Sequence, residues 1–128
     1  MYKRQVGIDI LEMPRLKDVE FIKCDLRNFD VNKLKTTIDV VISDIAPNIS
    51  GVNLVDDANM IDLLEIELSI VDKILVKGGN YLAKCFQGDS LEYLTFNLKK
   101  RFKILKRIKP LASRNISKEV YVLGLNKI

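Results

Sequence analysis

At 128 residues, 48% hydrophobic and 30% charged, the chain suits one small domain with a real core. It has no apolar run near the roughly 20 residues that cross a bilayer and no secretory signal ahead of its first strand, so a cytoplasmic protein without membrane association is expected. The net charge of +4 hides a gradient: residues 1–96 carry 11 Lys/Arg against 16 Asp/Glu, and residues 97–128 carry 10 against 1. Such a basic surface fits a polyanion, because lysine and arginine neutralise phosphates and release counterions. A solvated helix end and edge strand would give the same composition. There is no histidine, and Cys24 and Cys85 have no metal-like spacing, which argues for two reduced core thiols and against a zinc site.

Strand and helix patterns alternate along the chain, as in α/β architecture. Val6–Ile10 and Val19–Cys24 read as short strands, residues 29–36 as a weak helical turn, and Ile38–Ser43 as a buried strand rich in branched residues. Residues 46–57 form a loop marked by Pro47, Asn48, Ser50, Gly51 and Asn53, and Asp56 or Asp57 is placed to cap the helix that follows. That helix is expected to reach about Lys77. Ile61, Leu64, Leu68, Val71 and Leu75 recur at helical spacing, Asp62, Glu65, Ser69 and Asp72 mark the wet face, and Gly78-Gly79 supplies the stop. A strand over 80–86, a helix over 90–101 and strands over 102–109 and 119–126 complete a single domain spanning 1–128. The charge of Lys103, Lys106, Arg107 and Lys109 suits an edge strand, whereas apolar Val120–Leu125 belongs inside the sheet. That order requires the last two strands to form an antiparallel hairpin.

Three charges stand where apolar strands should not carry them: Asp44 after Ile38–Ser43, Lys84 within Tyr81–Phe86, and Glu119 before Val120–Leu123. Each needs a compensating partner. If the strands of Asp44 and Lys84 run parallel and the last strand antiparallel, all three meet at the carboxyl rim, where open α/β sheets bind ligands. A structural ion-pair cluster would satisfy the same constraint. Asp9 and Asp25 end short strands at this rim and are placed to accept hydrogen bonds from ribose hydroxyls or a base amino group, although aspartate also commonly ends strands.

The segments Ser43-Asp44-Ile45-Ala46-Pro47-Asn48-Ile49-Ser50-Gly51, Lys84-Cys85-Phe86-Gln87-Gly88 and Ser113-Arg114-Asn115-Ile116-Ser117-Lys118-Glu119-Val120-Tyr121 resemble, in this order, the FtsJ/RrmJ family. These are S-adenosylmethionine-dependent RNA 2′-O-ribose methyltransferases, and the similarity runs from about Val6 to Leu125. The large-subunit ribosomal RNA branch, which modifies a uridine, is the nearest, and the transfer-RNA branch is an alternative. The resemblance implies a doubly wound, Rossmann-like, mostly parallel sheet with the last strand antiparallel. It also implies S-adenosylmethionine as cofactor and RNA as partner, and a monomer is expected. Asp44, Lys84 and Glu119 match three members of the family's Lys-Asp-Lys-Glu group, with Lys84 as the base for the 2′-hydroxyl. Asp44 would lie between lysine and cofactor, Glu119 would orient the lysine or ribose, Asp9 would hold the cofactor ribose, and Asp25 the adenine. Asn48, Ser50, Lys106, Arg107, Lys109, Arg114 and Lys118 are the candidate RNA contacts.

The family ordinarily begins with a further lysine, a strand and a glycine-rich cofactor loop, and this chain has no match to them. A truncated catalytic domain is therefore expected, with an open seam or an abnormal pairing where that strand belongs and impaired activity in isolation. A non-catalytic RNA-binding or ribosome-assembly module is the rival reading. A different nucleotide-utilising enzyme is disfavoured by the Lys84 and Glu119 motifs.

Overall fold

The structure, a computed structural model, describes residues 5–34, 36–47, 50–109 and 119–128. Strand β1 (Gln5–Asp9) pairs in parallel with β2 (Val19–Lys23) to make a two-stranded sheet. A four-stranded sheet has the order β3-β4-β6-β5, with β3 spanning Ile38–Ser43, β4 Leu75–Phe86, β5 Phe102–Ile108 and β6 Glu119–Lys127. β3 and β4 are parallel, and β6 is antiparallel to both its neighbours. The interior place of apolar β6 and the edge place of lysine-rich β5 agree with the hydrophobic pattern.

Alternation along β4 sorts its side chains: Tyr81, Ala83 and Cys85 are buried, while Leu82, Lys84 and Phe86 are half-buried on the opposite face. Helices α1 (Asn53–Ile74) and α2 (Asp89–Lys99) share one core with that buried row. Leu64, Leu68 and Val71 of α1 meet Leu91, Leu94 and Leu98 of α2 over Tyr81, Ala83, Val120 and Val122. Both α-helices of the described residues thus cover one face of a mixed, Rossmann-like sheet, as expected of the fold class.

The weak helical turn expected over 29–36 is present as a 3-10 turn, Val31–Lys33, capped by Asp30, with a second, Leu26–Asn28, capped by Asp25 ahead of it. Asp30 restarts the turn before a helix can propagate, because such side chains compete with helical backbone bonds. Two expected boundaries, both of α1, are corrected. Helix α1 begins at Asn53, ahead of both expected caps. Asp56 accepts bonds from Ser50 N (2.8 Å), Ser50 Oγ (2.7 Å) and Gly51 N (3.3 Å), folding the loop onto the first turn, whereas Asp57 Oδ1 accepts Ser90 N (3.3 Å) at the start of α2.

Helix α1 also ends early, at Ile74, and runs directly into β4, so Gly78-Gly79 lies inside a strand and is not the helix stop. Lys127 terminates the helix instead, its Nζ donating to the carbonyls of Val71 (3.4 Å), Asp72 (3.2 Å) and Leu75 (2.7 Å). Gly79 is required for close approach: a Cβ there would lie 2.7 Å from Leu75 Cδ1 and 2.9 Å from Asp39 O, where the β3–β4 register shifts.

Gly124, opposite Tyr81 and Leu105, gives the Phe102 ring its place, since a Cβ would stand 2.7 Å from Phe102 Cδ2. Gly124→Ala is expected to lower stability by about 1–3 kcal/mol through overpacking. Urea unfolding measures this, and an unchanged midpoint would contradict the packing.

Candidate active site

Pairing register builds the rim. Ser43 stands opposite Ala83 in the parallel β3–β4 pair, so the next residue, Asp44, emerges beside Lys84. Glu119 stands opposite Phe86 in the antiparallel β4–β6 pair, which returns the start of β6 to the carboxyl end of β4. Lys84 Nζ lies 3.1 Å from Asp44 Oδ1 and 3.7 Å from Glu119 Oε1. The convergence expected of these three residues is present.

The lysine side chain is 20% exposed and that of Asp44 is 68% exposed. Contact with Asp44 is the main influence holding the Lys84 amine above the ordinary lysine value. Partial burial opposes this rise, and the charges of Asp44 and Glu119 add to it. The amine is therefore an ammonium at neutral pH. It is a donor and a fixed positive charge there, and becomes a base only after deprotonation.

Asp9 and Asp44 line one cleft between β1 and β3, walled by Ile8, Ile42 and Ile45 and floored by Glu67, Ile70 and Val71 of α1. Asp9 Oδ1 also accepts Leu11 N at 3.0 Å. Asp25 lies on its own turn. Its carboxylate accepts Arg27 N (2.9 Å) and pairs with the Arg27 guanidinium (3.7 Å), and it does not line this cleft.

Ser50 is turned to Asp56 and holds the loop, with Val52 N donating to its Oγ (3.1 Å). Lys106 is exposed on edge strand β5. Arg107 reaches back to α2, to Thr95 Oγ1 (2.9 Å) and Glu92 Oε1 (3.3 Å), and with Lys109 lines a second cleft beside Gln87 and Gly88. Asn48, Arg114 and Lys118 lie outside the described residues.

Sequence reasoning missed Glu67. It is buried on α1, lines the Asp9–Asp44 cleft and accepts a hydrogen bond from the Tyr81 hydroxyl. A signal was available, because Glu67 falls at helical spacing between Leu63, Leu64 and Val71, a core position. Burial pushes its carboxyl up, while nearby Ser43 and Tyr81 temper the rise. Ser43 Oγ, also buried, meets no partner at hydrogen-bonding geometry among the described residues. Burial and the charge of Glu67 hold the Tyr81 hydroxyl well above its ordinary value.

The sequence family described as FtsJ-like methyltransferase matches residues 2–127. The ribosomal RNA large subunit methyltransferase E of Janthinobacterium sp. (strain Marseille) is 37% identical over 125 residues, covering 93% of this chain and 58% of that protein. Its counterpart in Xanthomonas campestris pv. campestris (strain B100) is 41% identical over 130 residues, covering 97% and 62%. The chain thus spans about three fifths of the length of these curated relatives. Among solved structures, a protein described as a ribosomal RNA methyltransferase from Plasmodium falciparum superposes with TM-score 0.82 at 25% identity, covering 98% of this chain and 74% of its own. The N-methyltransferase NodS of Bradyrhizobium japonicum WM9, solved with S-adenosyl-L-homocysteine, shares the fold (TM-score 0.63, 13% identity, covering 96% and 66%).

Glu67 gives a testable pH signature. Its folded pKa is raised, so above the ordinary carboxylate range the unfolded chain ionises while the folded chain keeps the proton. The contribution of Glu67 to stability therefore falls as pH rises from about 4.5 towards the raised value. Thermal melts of wild type and Glu67→Gln across pH 4–8 should show the wild type losing ground to the variant over that window. A pH-independent difference would contradict a raised carboxyl.

Proposed function

We propose that this chain, which belongs to the FtsJ-like methyltransferase family, carries catalytic residues of an RNA methyltransferase that modifies a ribose 2′-hydroxyl in large-subunit ribosomal RNA, at a uridine. The observation that supports this reading is the placement of Lys84 between Asp44 and Glu119, beside a cleft that Asp44 shares with Asp9.

The cleft's residues suit S-adenosylmethionine: two carboxylates are placed for ribose hydroxyls and a sulfonium charge, and branched apolar side chains for a base. The cofactor, when bound, supplies an activated methyl carbon. Asp9 and Asp44 would hold it from opposite walls. Neutral Lys84 would take the proton of the ribose 2′-hydroxyl that receives the methyl group. Glu119 would then keep the resulting ammonium in register. Lys106, Arg107 and Lys109 would hold phosphates, which fixes the RNA's position and does not read its sequence.

The same ion pairs support a second reading. Two carboxylates favouring the ammonium disfavour the neutral base, and the exposed Lys103 and Lys106 of β5 suit RNA binding without transfer. Calorimetry separates the two: cofactor binding supports the enzyme, and RNA binding without cofactor binding supports the module.

Transfer of labelled methyl groups to large-subunit ribosomal RNA tests the base assignment. The rate is expected to be near background at pH 7 and to climb about tenfold per pH unit below the raised pKa of Lys84. Lys84→Met should abolish the climb. Brisk, pH-independent turnover would contradict the assignment.

A further inference from the structure

Helix α2 buries Leu91, Leu94 and Leu98 and turns a different stripe outward. Glu92, Phe96, Lys99 and Lys100 recur at helical spacing, and all four are exposed. Phe96 is the one large apolar side chain that α2 leaves exposed, at 61%. Lys100 Nζ stands over its ring, 4.2 Å from the centroid. The ammonium occupies one face of the ring, and exposure on that scale keeps the other face open to solvent.

Along α2, the unpaired charge within one turn of the ring is all positive. Lys99 and Lys100, with Lys103 at the start of β5, are exposed and form no ion pair among the described residues. Glu92, the acid one turn before Phe96, is already matched by Arg107 at 3.3 Å. Arg107 and Glu92 also line the cleft of Gln87, Gly88 and Lys109, and Gln87 follows Lys84 by three residues. A path therefore leads from the rim through that cleft to Phe96, which stands roughly 6 Å along the helix from Glu92.

We propose that Phe96, Lys99 and Lys100 form a docking platform for single-stranded RNA, on which one nucleobase stacks against the open ring face while the lysines hold the flanking phosphates. A lone ring among cations fits this partner: every base has a π-face, and the strand that links the bases is a row of anions. A membrane surface would need a continuous apolar face, and α2 exposes a single ring. Duplex RNA keeps its bases stacked on one another, out of reach of a ring on a helix surface. The platform lies outside the rim and the β5 contacts, so it holds a nucleotide away from the reaction centre and sets the direction in which the strand leaves it. It rests on the reading of RNA as the partner and not on methyl transfer.

Fluorescence anisotropy of the 128-residue chain with a labelled oligouridylate of about 12 nucleotides tests the platform. Phe96→Ala should weaken binding about fivefold to a hundredfold, the loss of one stacked base, with the slope of affinity against salt unchanged. Phe96→Tyr should keep the wild-type affinity, and Lys99→Gln with Lys100→Gln should flatten the slope. An abasic strand of the same length should bind wild type and Phe96→Ala alike, which also shows that the variant is folded. Equal affinity of wild type and Phe96→Ala for the oligouridylate, an equal loss on the abasic strand, or no binding by the wild type would overturn the proposal. A Phe96→Ala loss seen with polyglutamate and not with RNA would overturn it in favour of an acidic protein partner. Stacking on Phe96 without methyl transfer would contradict the proposed activity and leave the platform standing, and transfer with normal binding by Phe96→Ala would do the reverse.

Discussion

An amine held between two carboxylates keeps its proton, and the rim of this sheet is organised around that fact. Asp44 and Glu119 arrive at Lys84 from opposite sides because β3 runs parallel to β4 while β6 runs antiparallel to it. A parallel β6 would send its first residue to the far end of the sheet and leave Lys84 with Asp44 alone. The chemistry of the site is thus set by strand direction, which in turn depends on β6 lying between β4 and β5.

That insertion is secured at the carboxyl end of β6 and in its middle. At its carboxyl end, Lys127 closes the last turn of α1, tying the helix to the strand that carries Glu119 at its other end. In its middle, Gly124 leaves space for Phe102, whose ring lies 6.1 Å from that of Tyr81. Tyr81 then reaches Glu67 on α1, and Glu67 borders the cleft of Asp9 and Asp44. A continuous set of contacts therefore joins the edge hairpin to the candidate cofactor cleft.

Much of this was legible in the residues themselves. The bounds of β3 and the interior place of β6 follow from branched apolar runs, and the meeting of residues 44, 84 and 119 follows from charges whose burial demands partners. The early end of α1 was hidden because its cap comes from Lys127, 52 residues beyond Leu75 in sequence, while Gly78-Gly79 imitates a local stop. The caps were misassigned for a related reason: Asp56 and Asp57 are adjacent, yet one folds its own loop and the other serves α2. Ser50 and Asp25 each accept a backbone amide of their own loop, a bond that a loop's sequence does not reveal. Glu67 escaped because apolar periodicity was read from the residues that fit it, and a lone carboxylate in the same row was passed over.

An NMR titration of the Lys84 side chain in isotopically labelled protein, assigned with Lys84→Arg, tests the central cluster most directly. The amine should titrate above the ordinary lysine value and move back towards it in Asp44→Asn, the partner that dominates the shift. A Lys84 titrating at or below the ordinary value, or one indifferent to the loss of Asp44, would contradict the account.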